Sequence, residues 1–218
     1  MSLQPETQDE LFVWIMHRFA EVFKDHAVLK GGMALRLMDS PRYTTDIDYV
    51  FVPYNSKKEI LPQIEMILSQ LDGAEIEMVM HSKMLQASIR LENAAIQIEA
   101  NVDTTAKTVA MATGGFAISN NQPSQIVRIM SPDHALAHKL AAWNERRLVR
   151  DLYDCYFFIG RLGELPDLNV LDKRLAQIKS RLPGLKRRKK MTRSQFAQEL
   201  QNVMDNLTEK DLENELGP

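Results

Sequence analysis

At 218 residues the chain can bury a real core, as one large domain or a domain with a smaller companion. Its 44% hydrophobic and 26% charged residues exclude a disordered or fibrous polypeptide, and a formal charge of -2 points to no partner unaided. The single cysteine, Cys155, excludes an internal disulfide and fits a reducing compartment, so a cytoplasmic address is expected. The polar, acidic start SLQPETQDE lacks the pattern of a signal peptide, and no apolar stretch approaches the length of a membrane span. The near-neutral balance hides one segregated stretch: Arg181, Lys186, Arg187, Arg188, Lys189, Lys190 and Arg193 crowd into a short basic run.

In chain order, residues 10–23 set Leu11, Ile15, Phe19, Val22 and Phe23 at helical spacing, which predicts an amphipathic covering helix. The apolar run at 27–29, the pair Gly31 and Gly32, and MALRLM read as strand, tight turn and helix. DIDYVFV, beginning at Asp46, is rich in β-formers and predicts a strand. Residues 57–71 predict a helix with Ile60, Ile64, Ile67 and Leu71 inward.

Three short alternating segments follow, EIEMVM, LQASIRLE and AIQIEANV, the last two separated by a polar turn at Glu92 and Asn93. A mixed sheet is therefore expected. Residues 104–123 contain the breakers Gly114, Gly115, Asn120 and Asn121 and predict only a loop or irregular hairpin. After the strand IVRIM, Ser131, Pro132 and Asp133 mark a helix start, and the remainder reads as helix alone. The expected architecture is an α/β lobe with a mixed sheet over residues 1–130, then a C-terminal helical lobe over 131–218, with the active site between them.

The chemistry concentrates in two places. Gly31 and Gly32 join a strand to a helix, where glycines let backbone amides approach a phosphate and the helix dipole favours an anion. Such a pair also suits any tight turn. On the following strand, the period of two puts Asp46 and Asp48 on one face and Ile47 on the other. Paired carboxylates repel unless a cation lies between them, and magnesium, which takes oxygen ligands and shares them with phosphates, suits such a pair. An exposed polar face of an edge strand would show the same pattern.

LKGGMALRLM followed by RYTTDIDYVF resembles the signature of the polymerase-β nucleotidyltransferase superfamily: strand, diglycine, helix, then Asp-x-Asp. It is particularly similar to the AbiEii/AbiGii toxin family, with Lys-Gly-Gly-x-x-Leu and Arg-x-Ser/Thr-x-Asp-Ile-Asp segments. SPDHALAHKLAAWNERRLVRDLYDCYFF extends the likeness through a Lys-x-x-Ala helix and an Arg-Asp-Leu-Tyr-Asp motif, so that it spans roughly residues 27–160.

The resemblance implies that Gly31 and Gly32 hold a nucleoside triphosphate, flanked by Lys30 and Thr45, and that Asp46 and Asp48 bind two magnesium ions. It implies that Lys139 reaches the triphosphate and that Asp151 is the acid of the helical lobe, with Arg150 and Asp154 supporting the helix junction. Read from the residues, Lys139 could equally be a snorkelling surface lysine, and Arg150, Asp151 and Asp154 a helix-terminal charge cluster. A third carboxylate is expected on a neighbouring strand, and here the sequence departs from the family's usual aspartate. Gln97, Glu99, Asn101 and Asp103 share one face of AIQIEANVD; Glu99 is the choice and Asp103 the reserve.

His26, His134 and His138 show no zinc-like spacing and read as surface or capping residues, and Cys155 reads as core. The implied reaction is magnesium-dependent transfer of a nucleoside monophosphate from a triphosphate to an acceptor hydroxyl, on a tRNA 3′ end or a protein. The implied setting is the toxin of a bacterial toxin-antitoxin pair, with a cognate antitoxin as partner. The basic run could grip an RNA backbone or be a solvated surface. Two rivals are a small-molecule (antibiotic) nucleotidyltransferase, which would need an acidic acceptor pocket, and a noncatalytic nucleotide-binding module.

Overall fold

A computed structural model of the chain describes residues 4–177. Two compact units part between Met130 and Ser131.

The first unit opens with α1 (Gln8–Phe23), fixed by a capping box in which the Thr7 hydroxyl accepts from the Glu10 amide and the Glu10 carboxylate accepts from the Thr7 amide. Its buried arc is wider than the predicted stripe, taking in every residue from Leu11 to His17 together with Phe19 and Phe23. Val22, expected inward, is exposed. Next come β1 (Ala27–Lys30), α2 (Gly31–Leu37) and β2 (Asp46–Phe51). The helix predicted over 57–71 is split into a single 3-10 turn at Lys57–Glu59 and α3 (Leu61–Leu68). Pro62, with no amide hydrogen to continue an earlier helix, instead starts the second.

The strands β3 (Glu75–Met80), β4 (Leu85–Arg90) and β5 (Ala95–Val102) follow as predicted. Residues 104–123 are more regular than their breakers suggest, holding β6 (Thr108–Ala112) and α4 (Gly114–Ser119) before β7 (Ile126–Met130). The reason is tertiary. The buried Thr113 hydroxyl accepts from the Gln125 amide and lies 3.0 Å from His17 Nε2 on α1, while β6 pairs antiparallel with β7.

The seven strands form one mixed sheet in the order β3-β4-β5-β2-β1-β7-β6. β2 runs parallel to β5 and β1 parallel to β7; the other neighbours are antiparallel. The residues alternating with the polar face of β2 and β5, namely Ile47, Tyr49, Phe51, Ile96, Ile98 and Ala100, are buried in one core with α1 and α3. Phe19 is its hub, with ring centroids 4.9 Å from Tyr49 and 5.7 Å from both Phe23 and Phe51.

In the second unit every described element is helical. α5 (Pro132–Arg146) ends at Arg147 in the left-handed conformation, α6 (Val149–Tyr156) runs into a π-helical turn at Phe157–Arg161, and α7 (Leu168–Gln177) follows. Leu136, Leu140, Trp143, Leu152, Phe158 and Leu171 are buried among these elements. No helix among the described residues is long and apolar enough to cross a membrane. The basic run of residues 181–193 lies outside the described residues.

Phe19→Ala should lower the unfolding free energy by roughly 3–5 kcal/mol, the range for deleting a buried aromatic ring, read from urea denaturation. A change below about 1 kcal/mol, as at an exposed site, would show that the aromatic cluster does not organise the core.

Candidate active site

The sheet register brings the predicted carboxylates together. Asp46 and Asp48 face the same side of β2, and in the parallel pair with β5 the partner of Asp48 is Glu99 and that of Asp46 is Gln97. Neighbouring strands lie about 5 Å apart whereas two residues along a strand span about 7 Å, so Glu99 approaches Asp48 more closely than Asp46 does. On the other side of β2, Lys30 is the register partner of Asp48, its Nζ 3.2 Å from Oδ1. The lysine expected to flank a triphosphate thus sits as a counter-cation against the middle carboxylate.

Asp103 is not an equivalent alternative. It lies four residues beyond Glu99, about 13 Å along the strand, is exposed, and accepts the Thr104 amide at 2.7 Å. Glu99 accepts from Gln97 Nε2 at 3.1 Å. Its carboxyl titrates above the ordinary glutamate value, first because burial penalises the charged form and then because Asp48 and, more weakly, Asp46 repel it; Lys30 and the Gln97 bond oppose the rise.

The glycines are required by close approach. Gly31 has φ +72°, and a side chain there would overlap the Asp48 carboxylate. A side chain on Gly32 would collide with the Arg42 guanidinium and the Thr44 hydroxyl. Arg42 and Thr44, within the RYTTDIDYVF segment, are buried structural neighbours of the turn. Thr44 Oγ1 accepts the Asp46 amide and donates to the Asp46 carbonyl, pinning the start of β2. Thr45, proposed beside the triphosphate, is exposed, with its hydroxyl 3.4 Å from Asp46 Oδ1.

In the second unit Lys139 is no snorkelling lysine. Its ammonium lies 2.6 Å from Asp154 Oδ2 and 3.7 Å from Asp151 Oδ1, and both carboxylates are fully buried. Arg146 closes the cluster with a bidentate pair to Asp151 at 2.6 and 2.7 Å. Arg150, named with this motif, is exposed; the arginine that pairs with Asp151 is Arg146, the last residue of α5. Cys155 is buried beside the cluster and burial pushes its thiol well above the ordinary value, in keeping with a core residue. His134 lies 3.4 Å from Asp167, whose other oxygen caps α7 by accepting the Asn169 and Val170 amides. With Asp133 these two offer ligand atoms within 4.8 Å of one another.

The mixed sheet, with a diglycine turn packed against an Asp-x-Asp strand, defines a nucleotidyltransferase-type fold. Solved structures share it: JHP933 from Helicobacter pylori is 19% identical, with a TM-score of 0.56 over 95% of this chain and 92% of that one. A second Helicobacter pylori protein, named provisionally as a nucleotidyltransferase, is 18% identical, with a TM-score of 0.52 over 94% of this chain and 95% of that one. No significant match is found among curated proteins. The profile of the family described as "Nucleotidyl transferase AbiEii toxin, Type IV TA system" matches residues 14–216. The chain belongs to this AbiEii toxin family and is a nucleotidyltransferase.

Two outcomes follow from this geometry. Because the folded-state pKa of Glu99 lies above its unfolded value, the ionised form costs stability; that cost is complete above the raised value and gone below the ordinary one. Glu99→Gln in chelator should therefore unfold at higher urea than the wild type at neutral pH, with the gap closing as pH falls through the ordinary glutamate range; a gap independent of pH would contradict this. Lys139→Ala leaves two buried carboxylates short of a cation and should cost roughly 3–5 kcal/mol by the same measurement. A loss under about 1 kcal/mol would mark the cluster as effectively solvated.

Proposed function

We propose that this protein attaches a nucleoside monophosphate from a nucleoside triphosphate to an acceptor hydroxyl, on a tRNA 3′ end or a protein, as the toxin partner of a cognate antitoxin. The observation that carries the reading is the row Lys30, Asp48 and Glu99 across three adjacent strands, with Asp46 on the same face and Gly31 pressed against Asp48.

The donor set fits magnesium: three carboxylates supply hard oxygen ligands, and a cation, the Lys30 ammonium, already contacts one of them. Asp46 and Asp48 would hold two ions. Magnesium, when bound, supplies positive charge that stabilises the negative charge developing on the α-phosphate and the departing pyrophosphate.

The protein's own groups do the rest. The amides of Gly31 and Gly32, free of side chains, take the triphosphate, with Lys30 and Thr45 at its sides. Lys30, whose ammonium lies 3.2 Å from Asp48, would also stand within reach of phosphate oxygens placed over the turn. Glu99, whose raised pKa brings it nearer to neutrality than an ordinary carboxylate, is suited to receive the proton of the attacking hydroxyl. From the second unit, family resemblance assigns Lys139 to the triphosphate and gives Asp151 as that unit's acidic residue. The ion pairs with Asp154 and Asp151 support a lysine whose position is set in advance.

The test is incubation with each labelled triphosphate, magnesium and total cellular RNA or protein, reading label incorporated and pyrophosphate released. Asp46→Ala and Asp48→Ala should each lower the rate by roughly a hundredfold or more, since even indirect metal contacts are worth 10–100-fold. Both should stay folded, because removing either acid relieves carboxylate repulsion. Wild-type rates in either variant would remove these residues from the mechanism. Triphosphate binding without turnover toward any acceptor would favour the noncatalytic reading.

A further inference from the structure

The second unit holds its own group of metal-ligating side chains. Asp133 and His134 stand in the first turn of α5, and Asp167 immediately precedes α7. Their three ligand atoms lie within 4.8 Å of one another, and all three residues are half-buried.

The backbone holds Asp167 in place. Its Oδ1 accepts the Asn169 and Val170 amides at 2.9 and 3.1 Å, while Oδ2 is the oxygen nearest His134. The Asp167 amide in turn donates to the Asp133 carbonyl at 3.1 Å, which fastens the start of α7 to the start of α5. Outer hydrogen bonds of this kind orient carboxylates that ligate metals. Capping of α7 accounts for Oδ1 alone; it does not account for an imidazole and a second carboxylate gathered at Oδ2.

Spacing separates an ion pair from a ligand set. His134 Nε2 lies 3.4 Å from Asp167 Oδ2, beyond the roughly 2.7–2.9 Å of a charge-assisted hydrogen bond. A tetrahedral ion with bonds of about 2.0–2.1 Å sets its ligand atoms about 3.4 Å apart. The amino-terminal ends of α5 and α7 disfavour a cation, yet each carries only about half an elementary charge, against the two full charges of the carboxylates. One imidazole nitrogen with two carboxylate oxygens suits zinc, whereas magnesium prefers oxygen ligands and keeps much of its water. Three protein ligands leave a fourth position for water. Local spacing in the chain hides the group, because Asp167 lies 33 residues beyond His134.

We propose that Asp133, His134 and Asp167 bind a zinc ion that clamps the start of α5 to the start of α7, in the unit that carries the Lys139 cluster. The site does not depend on the transfer reading above.

The experiment strips the full chain with chelator and titrates zinc by calorimetry into the Asp46→Ala/Asp48→Ala form, which lacks the acidic pair of β2. That form should bind one zinc per chain, and adding His134→Gln or Asp133→Asn should weaken the binding roughly tenfold or more. Zinc should also raise the urea midpoint of the Asp46→Ala/Asp48→Ala form and leave that of the His134→Gln form unmoved. Histidine NMR of the wild type gives a reading that no variant's folding can disturb: the imidazole resonances of His134 should be the first to shift as zinc is added. Unchanged affinity in the His134→Gln form, loss of zinc binding with Asp46 and Asp48, first shifts at another histidine, or displacement of zinc by about a tenfold excess of magnesium would each overturn the proposal.

Discussion

Everything in the first unit serves to hold like charges side by side. Asp46, Asp48 and Glu99 share one sheet face, and left to themselves they would spread apart. They cannot, because β2 is the middle strand of seven, hydrogen-bonded to β5 on one side and β1 on the other. Behind it Ile47, Tyr49 and Phe51 are locked into the core against α1. The same residue-by-residue alternation that buries the aromatic cluster sets the carboxylates opposite it. Lys30 partly offsets the repulsion at its centre, while burial first and the neighbouring carboxylates second leave the Glu99 pKa raised.

The turn before α2 belongs to the same constraint. Gly31 lets the chain pass directly over the Asp48 carboxylate, and Gly32 packs on buried Arg42 and Thr44, of which Thr44 pins the first residue of β2. The diglycine turn and the acidic strand are thereby one packed object. A side chain at either glycine would displace Asp48, or Arg42 and Thr44, so the diglycine is a steric demand of the fold itself.

In the second unit the comparable device is a buried ion cluster. Two fully buried acids are tolerable only because Lys139 and Arg146 reach them with short, directed contacts. The cluster ties α5 to α6 through charge beside their apolar contact. It also fixes the position of the Lys139 ammonium.

What the sequence alone determined was local and periodic. The spacing of Leu11, Ile15 and Phe19 marked α1; the alternation in DIDYVFV set Asp46 and Asp48 on one face; and the order of glycines, acids and later Lys and Arg-Asp motifs pointed to the nucleotidyltransferase family. Tertiary structure decided what depends on distant neighbours. Glu99 rather than Asp103 stands beside Asp48 because β5 docks parallel to β2 in one register, and a parallel register is set by packing across many intervening residues. The order in residues 104–123 came from Thr113 meeting α1 and β6 meeting β7, contacts that no local propensity encodes. The pairing of Asp151 with Arg146 followed from the left-handed turn at Arg147, which brings the end of α5 against the start of α6. Periodicity says which face a side chain occupies; only the packed chain decides what that face meets.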